Sequence, residues 1–280
     1  MHLLVGKIKV KKHKFWNGYR SRKTIKLIHP CHDHTMKKAI RSFIYSPKFN
    51  RMMVYLAMAV FFSGIILAMI IAFIYGGSRK GPGYFSIMNN YISDLGSHHY
   101  TLAPFIFDLT MMITSVLLVP VMHIMHKQVL ENWEAAKQEL GVARARSVKI
   151  TISVGLSGLI VGLVGFFGVG VFSEDRSTIG VFHNLHLVVS ILVWGGLAFA
   201  SLFYGIAALR MKTIIPRVLS FFMIVGPVAS VALFTLAAFV IPEFLPSKPL
   251  EWIMLACAFW WMVPVGVILL RIIKKTENKT

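Results

Sequence analysis

Carboxylates and imidazoles recur at a few places in this sequence where they could act together. Asp94, His98 and His99 form one group, Glu174 and Asp175 a second, and His183, His186 and Ser190 a third. The members of the third are spaced three and four apart, so on a helix they share one face. Asp108, Glu243 and Glu251 stand singly. Two imidazoles three residues apart on a helix can ligate one metal ion if carboxylates complete the shell. Asp94, Asp108, Glu174 and Asp175 are the available donors, and zinc is the metal such a set suggests first. Without a metal, Asp94 with His183 or His186 could supply the acid and base of a transfer or hydrolysis. Asn90, Ser93, Asp108, Glu174 and Ser190 would then contact a substrate. The same residues could also form a hydrogen-bonded structural cluster, or be unrelated groups at a surface.

A separate run, His29-Pro30-Cys31-His32-Asp33-His34, holds metal donors at close range. No second ligand pair follows at finger-like spacing, and Pro30 stiffens the run, so the spacing does not define a zinc module. Phosphate-loop, zincin and hydrolase-elbow signatures are missing.

Lipid is the solvent the composition calls for. Of 280 residues, 56% are hydrophobic and 15% charged, with a mean hydropathy of +0.67. Six apolar segments have the roughly 20 residues that cross a bilayer core: 52–75, 102–124, 150–172, 183–207, 218–241 and 251–272. None alternates with period two, which disfavours a barrel. The expected fold is therefore an all-α, polytopic bundle of six transmembrane helices. Asp108 then lies about 9 Å inside the second span, facing the bundle interior.

Orientation follows from the basic residues. Of the 30 Lys and Arg, 26 fall in the tail 1–51, in 125–149, in 210–217 and in 271–280, and four fall in the other three loops. The positive-inside rule puts both termini in the cytoplasm of a cell-membrane protein, and it accounts for the net charge of +19 without nucleic acid. The reading expects the first span to act as its own insertion signal. In the tail, 35–45 can form a short helix with Ala39, Ile40, Phe43 and Ile44 apolar and Lys37, Lys38 and Arg41 basic. It suits an interface rich in anionic headgroups; a solvated, disordered tail is the alternative. The basic stretch 273–280 forms the other terminus. Cys31 and Cys257 lie in the tail and in the last span, so no disulfide between them is expected. In the third span, Gly155, Gly158, Gly162 and Gly165 share one face that can meet another helix closely.

The phrase Asn89-Asn90-Tyr91-Ile92-Ser93-Asp94-Leu95-Gly96 resembles the hallmark of a prokaryotic membrane family known as domain of unknown function 998. Gly168-Val169-Gly170-Val171-Phe172-Ser173-Glu174-Asp175 and His183-Asn184-Leu185-His186 are similar to two further phrases of that family, with Ser173 where the family carries proline. The resemblance spans roughly 52–272. It implies distant kinship with damage-regulated autophagy modulators and with a factor that remodels glycosylphosphatidylinositol lipids, which by analogy points to lipid handling.

Two functions remain open at this point. In one, the polar groups bind or modify a lipid headgroup or other amphiphile at the outer face. In the other they are structural, and the bundle is a non-enzymatic scaffold or regulator for another membrane component.

Overall fold

A computed structural model describes residues 46–173, 175–176, 184–211 and 215–277. The expected helix 35–45, the His29 to His34 run, Glu174 and His183 lie outside them.

Ser46 opens the first helix by accepting a hydrogen bond from the Phe49 amide at 3.2 Å, with Pro47 at the first helical position. Helix α1 is Pro47–Tyr75, α2 Pro104–Leu140, α3 Val142–Val171, α4 Leu185–Arg210, α5 Arg217–Thr235 and α6 Ser247–Glu277. A π-helical turn, Leu236–Val240, continues α5. Six helices are long and apolar enough to cross a membrane, and the described residues contain no strand. The chain is a multi-pass, all-α membrane protein. Each expected segment has its helix, and each helix outruns its apolar core at one or both ends. The largest excess is in α2, which continues from 124 to Leu140. Residues 125–140 are rich in Glu, Lys, Gln, Ala and Leu, good helix formers with no breaker before Gly141, so helix does not stop where hydropathy does.

Each helix packs on the next, and α6 returns to α1, closing a ring. The tightest seam joins α3 to α4. A Cβ on Gly165 would lie 2.5 Å from the Val193 nitrogen, and one on Gly158 2.9 Å from that of Ala200. The glycine face expected of the third span is therefore buried, and its partner is the fourth. Phe61 of α1 stacks on Phe259 of α6 at 4.3 Å between ring centroids and reaches Phe166 of α3 at 5.9 Å, tying three helices across the interior. Outward faces carry exposed Ile66, Ile70, Phe73, Val116, Phe239 and Trp260, which suits contact with lipid.

Helix α1 begins at what we call the near end and delivers the 76–103 connection to the far end. The connections after α3 and α5 meet it there, as the contacts below require. The 76–103 segment folds back as a plug. Gly76, at φ 66°, turns the chain out of α1, and the Ser78 backbone amide donates to the His98 carbonyl at 2.8 Å. A short 3-10 helix, Ile92–Gly96, then inserts Ile92 and Leu95, at 2% and 0% exposure, into the bundle mouth.

Candidate functional site

The 3-10 helix forms because Asp94 caps it: its carboxylate accepts from the Tyr91 amide at 3.1 Å. The same oxygen accepts from Asn90 Nδ2 at 3.0 Å, and Asn90 Oδ1 accepts from the Ser86 amide. Both side chains are buried. Helix α6 completes this half of the site. Glu251, also buried, accepts from the Ile92 amide at 2.8 Å. Trp252 donates to the Asn90 carbonyl at 2.9 Å, Lys248 to that of Asn89 at 2.8 Å, and the Tyr91 and Ser247 hydroxyls meet at 2.6 Å.

The other half centres on Arg176. Its guanidinium donates to Asp108 Oδ2 at 2.8 Å and to the carbonyls of Gly170 and Val171 at 2.8 and 2.9 Å. It thereby holds the end of α3 against the start of α2. Asp108 is buried as expected, and its second oxygen has no hydrogen-bond partner among the described residues. Next to it, Asp175 accepts from the Ser97 hydroxyl at 2.8 Å and from the His98 amide, and lies 3.6 Å from His99 Nε2. His186 meets the Phe172 carbonyl through Nδ1 at 2.8 Å. A carbonyl only accepts, so Nδ1 carries a proton and donates.

Compared with known proteins, the chain matches no family model, no curated protein and no solved structure.

The far end thus gathers Asn90, Ser93, Asp94 and Ser190 around Glu251, and Asp108 and Asp175 around Arg176. No three metal-ligating side chains converge among the described residues. Among the carboxylates of the suggested zinc set, Asp94 accepts from Asn90 and the Tyr91 amide, Asp175 from Ser97 and the His98 amide, and Asp108 from Arg176, while Glu174 and His183 lie outside the described residues.

Sequence reasoning noted Glu251 only as a single acid, counted Arg176 only among the four basic residues of the other three loops, and missed Trp194 and Trp252. A buried acid needs donors, but no sequence pattern marks which group supplies them to Glu251. Which backbone supplies them depends on the fold of the 76–103 plug.

Two cavities adjoin the site. A small one of about 20 Å³ is lined by Ser93, Ser190, Trp194, Phe166 and Glu251 among others. A larger one of about 80 Å³ runs between α1, α2, α3, α4 and α6, with an almost wholly apolar wall. Phe166 and Trp194 border both, so one pair of aromatic rings separates the acid-bearing chamber from the apolar interior.

Proposed function

We propose that this protein holds a lipid or related amphiphile, with the polar part at the far end of the bundle and the apolar part in the interior. One observation carries the reading: Phe166 and Trp194 line both cavities, so the small chamber that Ser93, Ser190 and Glu251 border adjoins the larger apolar one. The donor-rich plug residues around Ser93 and Ser190 would meet the headgroup. Binding is favoured over chemistry, because the Asp94 carboxylate is occupied by Asn90 and the Tyr91 amide. Within this reading, we assign the chain to the domain of unknown function 998 family on its Ile92 to Gly96 phrase. We place it in the cell membrane with both termini cytoplasmic on its Lys and Arg distribution. The basic tail would rest on anionic headgroups.

The test is extraction and mass spectrometry of the protein purified in mild detergent. A co-purifying amphiphile near one per chain supports the reading, and its absence at every detergent strength removes it. Alanine at Asp94, His183 and His186 separates binding from catalysis: unchanged cellular lipids in all three folded variants discard an enzyme. Cysteines at 137 and 248 should label from opposite sides of the membrane, the second from outside.

A second reading makes the cluster structural, in a scaffold or regulator. It draws on the mutual pairing of Asp94, Asn90, Glu251 and the plug backbone. Under it, the same substitutions lower the melting temperature while bound lipid is unchanged.

A further inference from the structure

Among the described residues that line the larger cavity, Phe62 of α1 is the one that is exposed, at 41%. It belongs to the outward stripe of α1 formed by Tyr55, Ala59, Phe62 and Ile66, all exposed and spaced four, three and four residues apart. One ring therefore borders the apolar chamber and the lipid-facing surface together. The chamber reaches the edge of the bundle there, and the helix across the seam is α6. Phe62 lies 5.2 Å between ring centroids from Phe259, and the half-exposed Met262 and Val263 continue the chamber wall along α6.

Side-chain ends close this seam. A Cβ on Gly266 of α6 would lie 2.6 Å from Met58 Cε, the tip of a flexible thioether chain, and 3.7 Å from Val54 Cγ1, with no backbone atom of α1 within 4 Å. The α3–α4 seam is closed differently, since a Cβ on Gly165 meets the backbone nitrogen of Val193 at 2.5 Å. Rotamer changes of Met58, Phe62 and Phe259 widen the first seam, whereas the second opens only if two helices part.

Depth decides what stands outside. Phe62 is 15 residues from Pro47 and 13 from Tyr75, about 22 and 20 Å along α1, so the seam meets the bilayer near its middle. Hydrocarbon chain is what a bilayer presents at that level. The chamber offers a matching surface, because its wall carries no charged side chain and is almost wholly apolar. A chain segment leaves no hydrogen bond unmade there. Moving it out of lipid gains nothing from the hydrophobic effect, but it supplies dispersion contacts to a wall that would otherwise line a void.

We infer that the larger cavity takes an acyl chain of a membrane lipid, which enters end first from mid-bilayer between α1 and α6, past Phe62 and Met58. The inference rests on the amphiphile-holding reading above and adds the part held inside and its route.

The test uses the full chain in phosphatidylcholine vesicles, to which phosphatidylcholine with a diazirine at the end of one acyl chain is added. Light couples the chain end to whatever it touches, and peptide mass spectrometry locates the adducts. Leu159 and Leu163 are buried and line the chamber, so adducts on them report a chain inside. Val116, exposed at 58%, reports lipid outside. The wild type should give both. Met58→Cys with Gly266→Cys, oxidised before the probe is added, should lower the adducts on Leu159 and Leu163 about tenfold and leave Val116 unchanged, and reduction should restore them. Phe62→Trp, which enlarges the ring at the entrance, should lower them about threefold and serves alone if the cysteine pair does not fold. Equal interior adducts in the oxidised and reduced pair, or in Phe62→Trp and the wild type, overturn entry by this seam and leave the amphiphile reading standing. Wild-type adducts confined to outward residues overturn the acyl chain itself, and an amphiphile that still co-purifies keeps the reading above apart from that failure.

Discussion

Glu251, near the start of α6, accepts a hydrogen bond of 2.8 Å from the backbone amide of Ile92, 159 residues earlier in the chain. The last helix thereby grips the plug that follows the first. Trp252 and Lys248 add bonds to the carbonyls of Asn90 and Asn89, so α6 binds this stretch of backbone through both its donors and its acceptors. The plug needs such an anchor because a connection leaving a membrane helix has polar backbone that the apolar helix faces cannot satisfy.

Removing the anchor should therefore loosen the plug. Glu251→Ala deprives the Ile92 amide of its acceptor, and should lower stability by about 1–3 kcal/mol. Glu251→Gln keeps one acceptor oxygen, and should cost less than half as much. Unfolding in detergent followed by intrinsic fluorescence measures both. A Gln variant as damaged as the Ala variant would mean that the charge, rather than the acceptor, holds the plug.

The α3–α4 seam makes a second prediction by contrast. A Cβ at Gly165 meets the Val193 nitrogen at 2.5 Å, with backbone on the other side of the contact and nothing flexible to move. Gly165→Ala should force the helices apart at a cost of about 1–3 kcal/mol. Gly195, in the neighbouring helix, has nothing within 4 Å of the same position, so Gly195→Ala should be neutral or stabilise by up to about 1 kcal/mol through helix propensity. Melting temperatures of the two variants should move in opposite directions, or only the first should fall.

Asp108 and Arg176 form an ion pair at 2.8 Å in which the acid is buried and the guanidinium half-exposed. Solvent screening on the arginine side limits its strength, so a double-mutant cycle through Asp108→Asn and Arg176→Gln should give a coupling of about 1–2 kcal/mol. Arg176→Lys should not restore it, because an ammonium cannot reach Asp108 and the Gly170 and Val171 carbonyls with one planar fork. Full recovery with lysine would show that charge alone matters at this position.

How far these relationships were legible in the sequence depends on their range. Six spans follow from run length and hydropathy, and the packing face of α3 from glycines at helical spacing, both local properties. The burial of Asp108 also agrees with the expectation that a lone acid in a span faces the bundle interior. Helix ends were less legible, since α2 runs on through 125–140 as a water-compatible helix that hydropathy does not register. The partners of Asp94 and Glu251 were not legible at all. Asp94 pairs within its own loop, and Glu251 reaches a backbone amide, a group every residue carries and no sequence pattern marks. The cavity behind Trp194 depends on how five helices fail to fill their common interior, which is a property of shape.

The extension of α2 is itself testable. Beyond the apolar run, Val129 and Trp133 are buried one turn apart, and the Trp133 indole donates to the Ala145 carbonyl of α3 at 2.9 Å. Lys137 and Lys149 lie 5.3 and 5.0 Å from the same ring, so the hairpin around Gly141 is held by one aromatic residue that both helices use. Trp133→Phe keeps a ring but loses the donor, and should weaken the hairpin by about 1 kcal/mol. Because 125–147 lies beyond the apolar runs of α2 and α3, at the near end of the core, the loss should be local. Amides there should exchange about fivefold faster while those of 152–170 are unchanged. Gly141, at φ 72°, sets the turn, and Gly141→Ala should give the same local signature through backbone strain. Uniform acceleration across all six helices in either variant would show that the hairpin and the bundle open as one unit, and would refute its independence.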